Sequence, residues 1–331
     1  MSRLALRGTA LLAAALVVTS CGSGSGEPDP GDGAASDAGT SGAFPVSVST
    51  AFGDVTVEEE PVRVVALGWS DAETALALGV QPVGASDWLG FGGEGVGPWA
   101  EGRYDEAPEL VETLEPSYEQ IAALQPDLIL DTRSAATQER YDALSAIAPT
   151  IDQPEGAGPY QTTWQQQLDL VGQALGRAEE ARTLEEEVGR QFADAAAAHP
   201  EFAGRTVAVA AYTSAGWGAY VRGDSRVDFL EQLGFTNAPA VQEQAADNFY
   251  VSISEEQLPL LHADLTIAFP IFVDAGLITG NPLWQAVPSV QAGHGVVLED
   301  PTLVSAFSSG SVLGIEYALE NAVPLFAGAL G

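Results

Sequence analysis

The chain alternates between short, wholly apolar runs and longer segments in which apolar residues recur every three or four positions. The short runs are typical of strands buried on both faces of a sheet, and the longer segments are typical of amphipathic helices. The predicted strands include VRVVAL, DLILDT, TVAVAAY and DLTIAF, and a helix is predicted at SDAETALAL. Strand, helix and strand in succession predict an α/β fold with mainly parallel sheets.

One segment of the pattern is repeated. SYEQIAALQPDL, residues 117–128, recurs in register as SEEQLPLLHADL, residues 254–265. In each copy a Ser, followed three residues later by Gln, predicts a helix start of the capping-box type, and a buried strand follows. Ser70 with Glu73 predicts a further helix start of this type. The repeat predicts two lobes with the same order of elements.

The segment between the two predicted lobes, residues 162–199, is rich in helix-forming residues and contains no proline. Apolar residues form a helical stripe through it, with a weak interruption at Gly176. It predicts one long or kinked helix that joins the lobes. We therefore expect an N-terminal lobe over residues 48–161 and a C-terminal lobe over residues 200–331.

Charge excludes one class of partner. The 331 residues include 46 Asp or Glu and 12 Lys or Arg, all of them Arg, which gives a formal net charge of -34. Nucleic acid is excluded as a partner, because the chain offers no basic stripe to bind phosphates. Excess carboxylates at the surface keep such a protein soluble.

The N-terminus predicts export from the cytoplasm. Two arginines precede an apolar stretch, residues 8–19, that is too short to span a bilayer, so residues 1–20 are typical of a signal peptide. The sequence VTSC, ending at Cys21, resembles a bacterial lipobox, which implies lipidation of Cys21. Residues 21–47, rich in Gly, Ser, Asp and Pro, predict a flexible acidic tether. We expect an extracytoplasmic protein, lipid-anchored to the outer face of the cell membrane.

Aromatic residues follow several predicted strands, where open parallel sheets bind their ligands. For any single ring, ordinary packing in a core or loop is the better interpretation, so the prediction of a cleft depends on the set. The candidate ligand-binding aromatics are Trp69, Trp88, Tyr212, Trp217, Tyr250 and Phe269.

Arg133 and Arg222 are the candidate ligand-binding cations, because both lie near predicted strand ends. A guanidinium can bind anionic ligand oxygens through a bidentate pair of hydrogen bonds. An ion pair with one of the abundant carboxylates explains either arginine equally well.

Enzyme and free-metal functions find little support in the sequence. GFGGEG, residues 90–95, spells a dinucleotide-binding GxGxxG, but no helix is predicted after it, so a glycine-rich cleft loop is the better interpretation. The GxSxG of serine hydrolases does not occur; the nearest match, around Ser70, is used as a helix cap. No metal site is predicted from the scattered His199, His262 and His294.

Several stretches together resemble the substrate-binding lipoproteins of ABC importers for ferric siderophores, haem or cobalamin. They include RVVALGWSDAETALALGVQPVG, SYEQIAALQPDLIL, TWQQQLDLVGQALGR and AFSSGSVLGIEYALENAVPLFAGAL. The resemblance covers nearly the whole mature chain and is greatest to iron-siderophore binders. It implies two Rossmann-like lobes joined by a long rigid helix, the class III periplasmic-binding-protein fold.

The resemblance also implies a function without catalysis or a cofactor. A monomer captures a ferric siderophore between its lobes and delivers it to an ABC permease and its ATPase. By motif match, Glu119 and Glu256 are the carboxylates that dock to permease arginines, although the helix dipole alone would favour acids there. Haem or cobalamin is the alternative ligand, with Tyr212 or Tyr250 as a haem axial ligand.

Overall fold

The computed structural model describes residues 44–246 and 248–331. The predicted signal peptide, residues 1–20, and the predicted lipidation site Cys21 lie outside the described residues. Among the helices that the structure describes, none combines the length and the apolar character needed to cross a membrane.

The described strands assemble into a two-stranded hairpin and two larger sheets. They are β1 (Val46–Thr50), β2 (Gly53–Val57), β3 (Val64–Ala66), β4 (Gly84–Ser86), β5 (Glu109–Val111), β6 (Leu128–Asp131), β7 (Thr150–Asp152), β8 (Thr206–Thr213), β9 (Gly216–Tyr220), β10 (Thr236–Asn237), β11 (Tyr250–Ile253), β12 (Leu265–Pro270) and β13 (Gly295–Val297).

The helices cover the faces of the two larger sheets. They are α1 (Asp71–Ala77), α2 (Tyr118–Ala123), α3 (Gln138–Ser145), α4 (Trp164–Ala174), α5 (Ala178–Ala198), α6 (Ser225–Gln232), α7 (Pro239–Gln242), α8 (Gly276–Thr279), α9 (Pro282–Gln285), α10 (Pro288–Gln291), α11 (Pro301–Ser309) and α12 (Val312–Leu330). Short 3-10 helices occupy Pro98–Ala100, Pro200–Phe202 and Glu255–Leu261.

The N-terminal lobe contains a wholly parallel sheet in the order β5-β4-β3-β6-β7. The C-terminal lobe contains a sheet in the order β11-β9-β8-β12-β13, with β10 beside β8. Strands β8, β10, β12 and β13 run parallel, whereas β9 and β11 are antiparallel to their neighbours. The expected α/β fold with two mainly parallel sheets is confirmed.

The β1–β2 hairpin was not predicted. It begins at Val46, inside the predicted tether over residues 21–47, so that prediction extends too far toward the C-terminus. Val48, Val55 and Val57 are buried at alternate positions, the pattern of a strand with one covered face.

The segment 162–199 forms two helices, so the prediction of one long or kinked helix is wrong. Gly176, with φ of 67°, follows the end of α4 in a left-handed conformation that favours glycine. The chain then returns as α5, and a Cβ on Gly172 would lie 2.5 Å from the Cβ of Ala181. Glycine at 172 therefore permits the close packing of α5 against α4, and α5 alone is the long helix.

An apolar core joins the two lobes. Phe192 of α5 packs against Trp164 of α4, with ring centroids 6.5 Å apart, and against Phe229 of α6 at 5.2 Å. Phe229 in turn meets Phe307 of α11 edge to face at 5.5 Å. Such aromatic pairs contribute about 0.5–1.5 kcal/mol each beyond their burial. A shared core of this kind favours small relative motions of the lobes.

Candidate functional site

A cleft of about 1100 Å³ lies between the lobes, at the carboxyl ends of the strands. The loops after β3 and β4 form its N-terminal wall. The β8–β9 hairpin, β11, the loop after β12 and the start of α11 form its C-terminal wall. The volume is at the upper end of that of small-molecule sites, which suits a bulky ligand.

The N-terminal wall is built from stacked aromatic rings. Trp69 follows β3 and Trp88 follows β4, and because these strands are neighbours, the two indoles stack with centroids 4.4 Å apart. Tyr160 lies 4.4 Å from Trp69, and Phe249 of the other lobe meets Trp69 edge to face at 5.9 Å. The predicted residues Trp69 and Trp88 both line the cleft.

The C-terminal wall contains aromatic residues with very different exposure. Trp217 of β9 lines the cleft but is only 3% exposed, because Trp284 stacks against it at 5.7 Å. Tyr250 of β11 also lines the cleft and is 38% exposed. Phe272, which follows β12, is 86% exposed at the cleft.

Tyr212 and Phe269 do not line the cleft, contrary to expectation. Tyr212 packs against Trp217 at 5.0 Å, behind the wall. Phe269 is fully buried on the central strand β12, between Tyr220 at 5.9 Å and Phe307 at 6.3 Å. The physical reason for Phe269 is that both faces of a central parallel strand are covered.

Arg222 is also outside the cleft. Its Nε donates a hydrogen bond to Glu231 at 2.7 Å, and about half of its side chain is exposed. The ion-pair alternative is the one that this geometry supports, and the structure does not bring Arg222 to the cleft wall.

Arg133 lies beneath the cleft and does not form part of its wall. It is buried, with Nη1 donating to the carbonyl of Ser309 at 3.1 Å and Nε donating to the carbonyl of Tyr160 at 3.2 Å. Burial lowers the pKa of Arg133 to about 10. Because Ser309 ends α11 of the other lobe, Arg133 joins the lobes and does not face the ligand space.

Arg226, which the sequence analysis missed, is the cation of the cleft wall. Its Nη1 donates to Asp224 at 2.8 Å and its Nε to the hydroxyl of Ser308 at 3.1 Å. The guanidinium carbon lies 4.3 Å from the centroid of Tyr220. One sequence signal could have identified it: an arginine in the first turn of a helix opposes the helix dipole and therefore requires a specific partner.

The lobes meet at a polar seam below the cleft. The carbonyl of Ser309 accepts from the hydroxyl of Ser70 at 2.6 Å as well as from Arg133. The hydroxyl of Ser311 donates to the carboxylate of Glu73, whose other oxygen accepts from the amide of Gly97 at 3.1 Å. Burial raises the pKa of Glu73. These contacts correct the capping-box prediction. The side chains of Ser70 and Glu73 bind distant groups, and neither binds the backbone amide of the other residue.

The two repeated motifs present the predicted docking carboxylates. Glu119 is exposed at the second position of α2, whose N-cap Ser117 accepts from the amide of Gln120 at 3.2 Å. Glu256 is exposed at the second position of the 3-10 helix Glu255–Leu261. The copies therefore differ in helix type, and Pro259 lies inside the 3-10 copy.

The glycine-rich segment 90–95 is a loop at the cleft. Gly90 and Phe91 line the cavity, and Asp87 accepts from the amides of Phe91 at 2.9 Å and Gly92 at 2.6 Å. No group of three or more His, Cys, Asp or Glu side chains converges as a metal site in residues 44–246 and 248–331.

Comparison with known proteins identifies relatives over most of the chain. The family model described as "Periplasmic binding protein" matches residues 64–302. The Bacillus subtilis protein named "Probable siderophore-binding lipoprotein YfiY" is 28% identical over 80% of this chain and 82% of its own length. The ferric enterobactin-binding periplasmic protein FepB of Escherichia coli is 28% identical over 75% of this chain and 82% of its own.

Solved structures share the fold. PiaA of Streptococcus pneumoniae in complex with ferrichrome superimposes with a TM-score of 0.74 and 27% identity, over 86% of this chain and 98% of PiaA. The two-lobed architecture described above is therefore that of a known group of binding proteins.

Proposed function

The chain belongs to the periplasmic binding protein family, and we propose that it is an extracytoplasmic receptor that captures a ferric siderophore in the cleft. The observation that carries this proposal is the large aromatic cleft between two lobes. Relatives named for siderophore binding support the choice of ligand, as does the ferrichrome complex of PiaA.

The cleft residues suit the binding of a ligand without catalysis. The stacked pair Trp69 and Trp88 offers flat apolar faces to the organic shell of a chelate, and Tyr250 and Phe272 offer exposed rings from the other lobe. Iron stays coordinated by the hard oxygen atoms of the chelator, so the protein needs no metal ligands of its own.

Delivery is to an ABC permease powered by its ATPase. Glu119 and Glu256 stand exposed, one on each lobe, where they can pair with two cationic positions on the permease. The lipid on Cys21 would hold the receptor at the outer face of the membrane, and residues 21–45 would act as its tether. The shared apolar core and the polar seam favour a small closure of the lobes on binding.

One specific observation makes haem a second candidate ligand. Tyr250 lines the cleft with 38% of its surface exposed, so its hydroxyl could coordinate iron in a haem. Tyr212, the other tyrosine considered for this role, does not line the cleft.

A thermal-shift panel tests the proposal. All described buried residues lie between Val48 and Phe326, so a protein of residues 44–331 retains the described core. A ligand at one hundred times its Kd adds about 2.7 kcal/mol to the free energy of unfolding. We expect a ferric chelate to raise Tm by several degrees more than its iron-free form. A rise with haemin or cobalamin and with no ferric chelate would contradict the siderophore assignment.

A further inference from the structure

The charges that face the cleft are few and mainly negative. Within the described part of the chain, the wall contains one guanidinium, that of Arg226, and two carboxylates, those of Asp274 and Glu299. Arg226 is already neutralised by Asp224 at 2.8 Å, and the side chains of this pair are 6% and 2% exposed. The wall therefore presents no uncompensated positive charge to a ligand.

Asp274 and Glu299 lie at the same edge of the C-terminal sheet. Asp274 follows β12 and Glu299 follows β13, which are parallel neighbours. Both residues are exposed, and one oxygen of Asp274 accepts from the amide of Gly276 at 2.7 Å. Among the described residues Glu299 has no side-chain hydrogen bond or ion pair that would offset its charge toward a ligand.

The rest of the wall is aromatic, apolar or hydroxylic. The largest surfaces come from Trp69, Trp88, Tyr250 and Phe272. The face of an aromatic ring carries partial negative charge, so these rings attract cations and accept neutral groups. They offer no compensation to an anion.

Ferric chelates differ in net charge, and a cleft wall with these charges can distinguish them. Hydroxamates are singly charged, so a full set of them neutralises ferric iron, and a free amine makes the complex cationic. Catecholates and carboxylates leave their ferric complexes anionic. An anion beside Asp274 and Glu299 would meet like charges, which is a common device for rejecting a wrong ligand. The net charge of -34 on the chain adds long-range repulsion of anions.

We propose that the cleft selects a ferric chelate without net negative charge, of the hydroxamate class, and that Asp274 and Glu299 reject anionic catecholate and carboxylate complexes. This rests on the proposed function, because it names the class of siderophore for the same cleft.

Calorimetric titration tests the selection. The protein of residues 44–331 is titrated with ferrichrome, which is neutral, ferrioxamine B, which is cationic, ferric enterobactin and ferric citrate, each beside its iron-free form. We expect the two hydroxamate complexes to bind at least about tenfold tighter than either anionic complex, a difference of ~1.4 kcal/mol. Raising the salt concentration should narrow that difference.

Paired variants identify the carboxylates responsible. Asp274→Asn with Glu299→Gln should weaken ferrioxamine B, strengthen the anionic complexes and leave ferrichrome within about twofold of the unsubstituted protein. Glu243→Gln with Glu320→Gln makes the same change of charge at exposed positions outside the cleft wall, and should alter none of these affinities.

The possible outcomes separate the two proposals. Tighter binding of ferric enterobactin or ferric citrate than of both hydroxamates would overturn the charge selection and leave siderophore capture intact. An unchanged preference in the Asp274 and Glu299 double variant would overturn the role of these residues. Binding of haemin or cobalamin, and of no ferric chelate, would overturn both proposals.

Discussion

Arg226 and Asp224 form a buried ion pair at the wall of the cleft, with Nη1 of Arg226 and the carboxylate 2.8 Å apart. Removing one member of a buried pair leaves the other charge without a partner, which typically costs about 3–5 kcal/mol. A single substitution at Arg226 would therefore lower the stability of the fold, and its effect on ligand affinity could not be separated from that loss. Replacing both members by neutral amides avoids this problem.

We predict that Arg226→Gln lowers the free energy of unfolding by about 3 kcal/mol or more, and that Arg226→Gln with Asp224→Asn restores part of the loss. The double variant should bind a ferric chelate with nearly the affinity of the unsubstituted protein, because Asp224 already neutralises Arg226 and the pair presents no net charge to the ligand. Urea unfolding measures the first effect and calorimetry the second. A double variant that binds the ferric chelate much more weakly would show that the guanidinium of Arg226 itself contacts the ligand.

Asp152 is a buried carboxylate that makes stability depend on pH. It lies opposite Asp131 in the β6–β7 register, and one of its buried oxygens has no partner among the described residues. Burial, followed by the negative charge of Asp131, raises the pKa of Asp152 to about 7. A raised pKa means that the folded state holds the proton more tightly than the unfolded state, so this stabilisation is lost as pH rises through about 7.

We predict that Asp152→Asn raises the free energy of unfolding at pH 8 by about 2–4 kcal/mol and has a much smaller effect at pH 4. The change occurs between about pH 4 and pH 7, the unfolded and folded pKa values of this group. Asp194→Asn on the exposed face of α5 is the matched control and should have no such effect. Equal stabilisation at both pH values would contradict a titrating Asp152.

The choice among the arginines shows where residue-level prediction fails. Arg133, Arg222 and Arg226 all lie near strand ends, and local pattern does not distinguish them. Their hydrogen-bond partners determine which arginine can face the cleft. Arg133 binds a carbonyl 176 residues away, and Arg222 binds a glutamate nine residues away. The first contact depends on how the lobes meet, and that information is not local in the sequence.

The turn between α11 and α12 is the element that the lobes share. Gly310 has φ of 59°, and a Cβ there would lie 2.7 Å from Nη1 of Arg133 and 2.8 Å from Cβ of Ser225. We predict that Gly310→Ala lowers the free energy of unfolding by about 1–3 kcal/mol, through backbone strain and displacement of Arg133. Thermal or urea unfolding measures this change.

The matched control is Gly328→Ala in α12. A Cβ at Gly328 meets nothing within 4 Å, and alanine has the higher helix propensity, so this variant should gain up to about 1 kcal/mol. If Gly310→Ala proves as harmless as Gly328→Ala, the seam does not constrain the turn.

At the element scale, most strands and helices could be predicted from the sequence because their signals are local. The buried strands β3, β6, β8 and β12 are apolar runs, and Ser117 caps α2 as its sequence indicates. Ser70 has the same signal but donates to the carbonyl of Ser309 in the other lobe. Tertiary contacts thus override local capping where two lobes meet.

Over the whole molecule, the repeated motifs place one exposed glutamate on each lobe. We predict that Glu119→Arg with Glu256→Arg leaves the affinity for the ferric chelate unchanged and abolishes import in cells, because an interface between like charges is strongly disfavoured. The measurements are calorimetric affinity and iron uptake in a strain that depends on this receptor.

Glu185→Arg with Glu187→Arg on α5 is the control, since it makes the same change of charge at exposed positions away from both motifs. Its uptake should match that of the unsubstituted protein. Loss of ligand affinity in the Glu119 and Glu256 variant would place these residues in ligand binding and not in docking.

The central claim is that a ferric chelate binds between the lobes against the stacked indoles of Trp69 and Trp88. Tryptophan fluorescence, titrated with ferric hydroxamate, catecholate and citrate complexes and their iron-free forms, tests it most directly. We predict saturable quenching by a ferric complex, most of it lost in Trp69→Leu with Trp88→Leu and retained in Trp164→Phe, a change in the core. No quenching by any ferric complex, or undiminished quenching in the Trp69 and Trp88 variant, would contradict the claim.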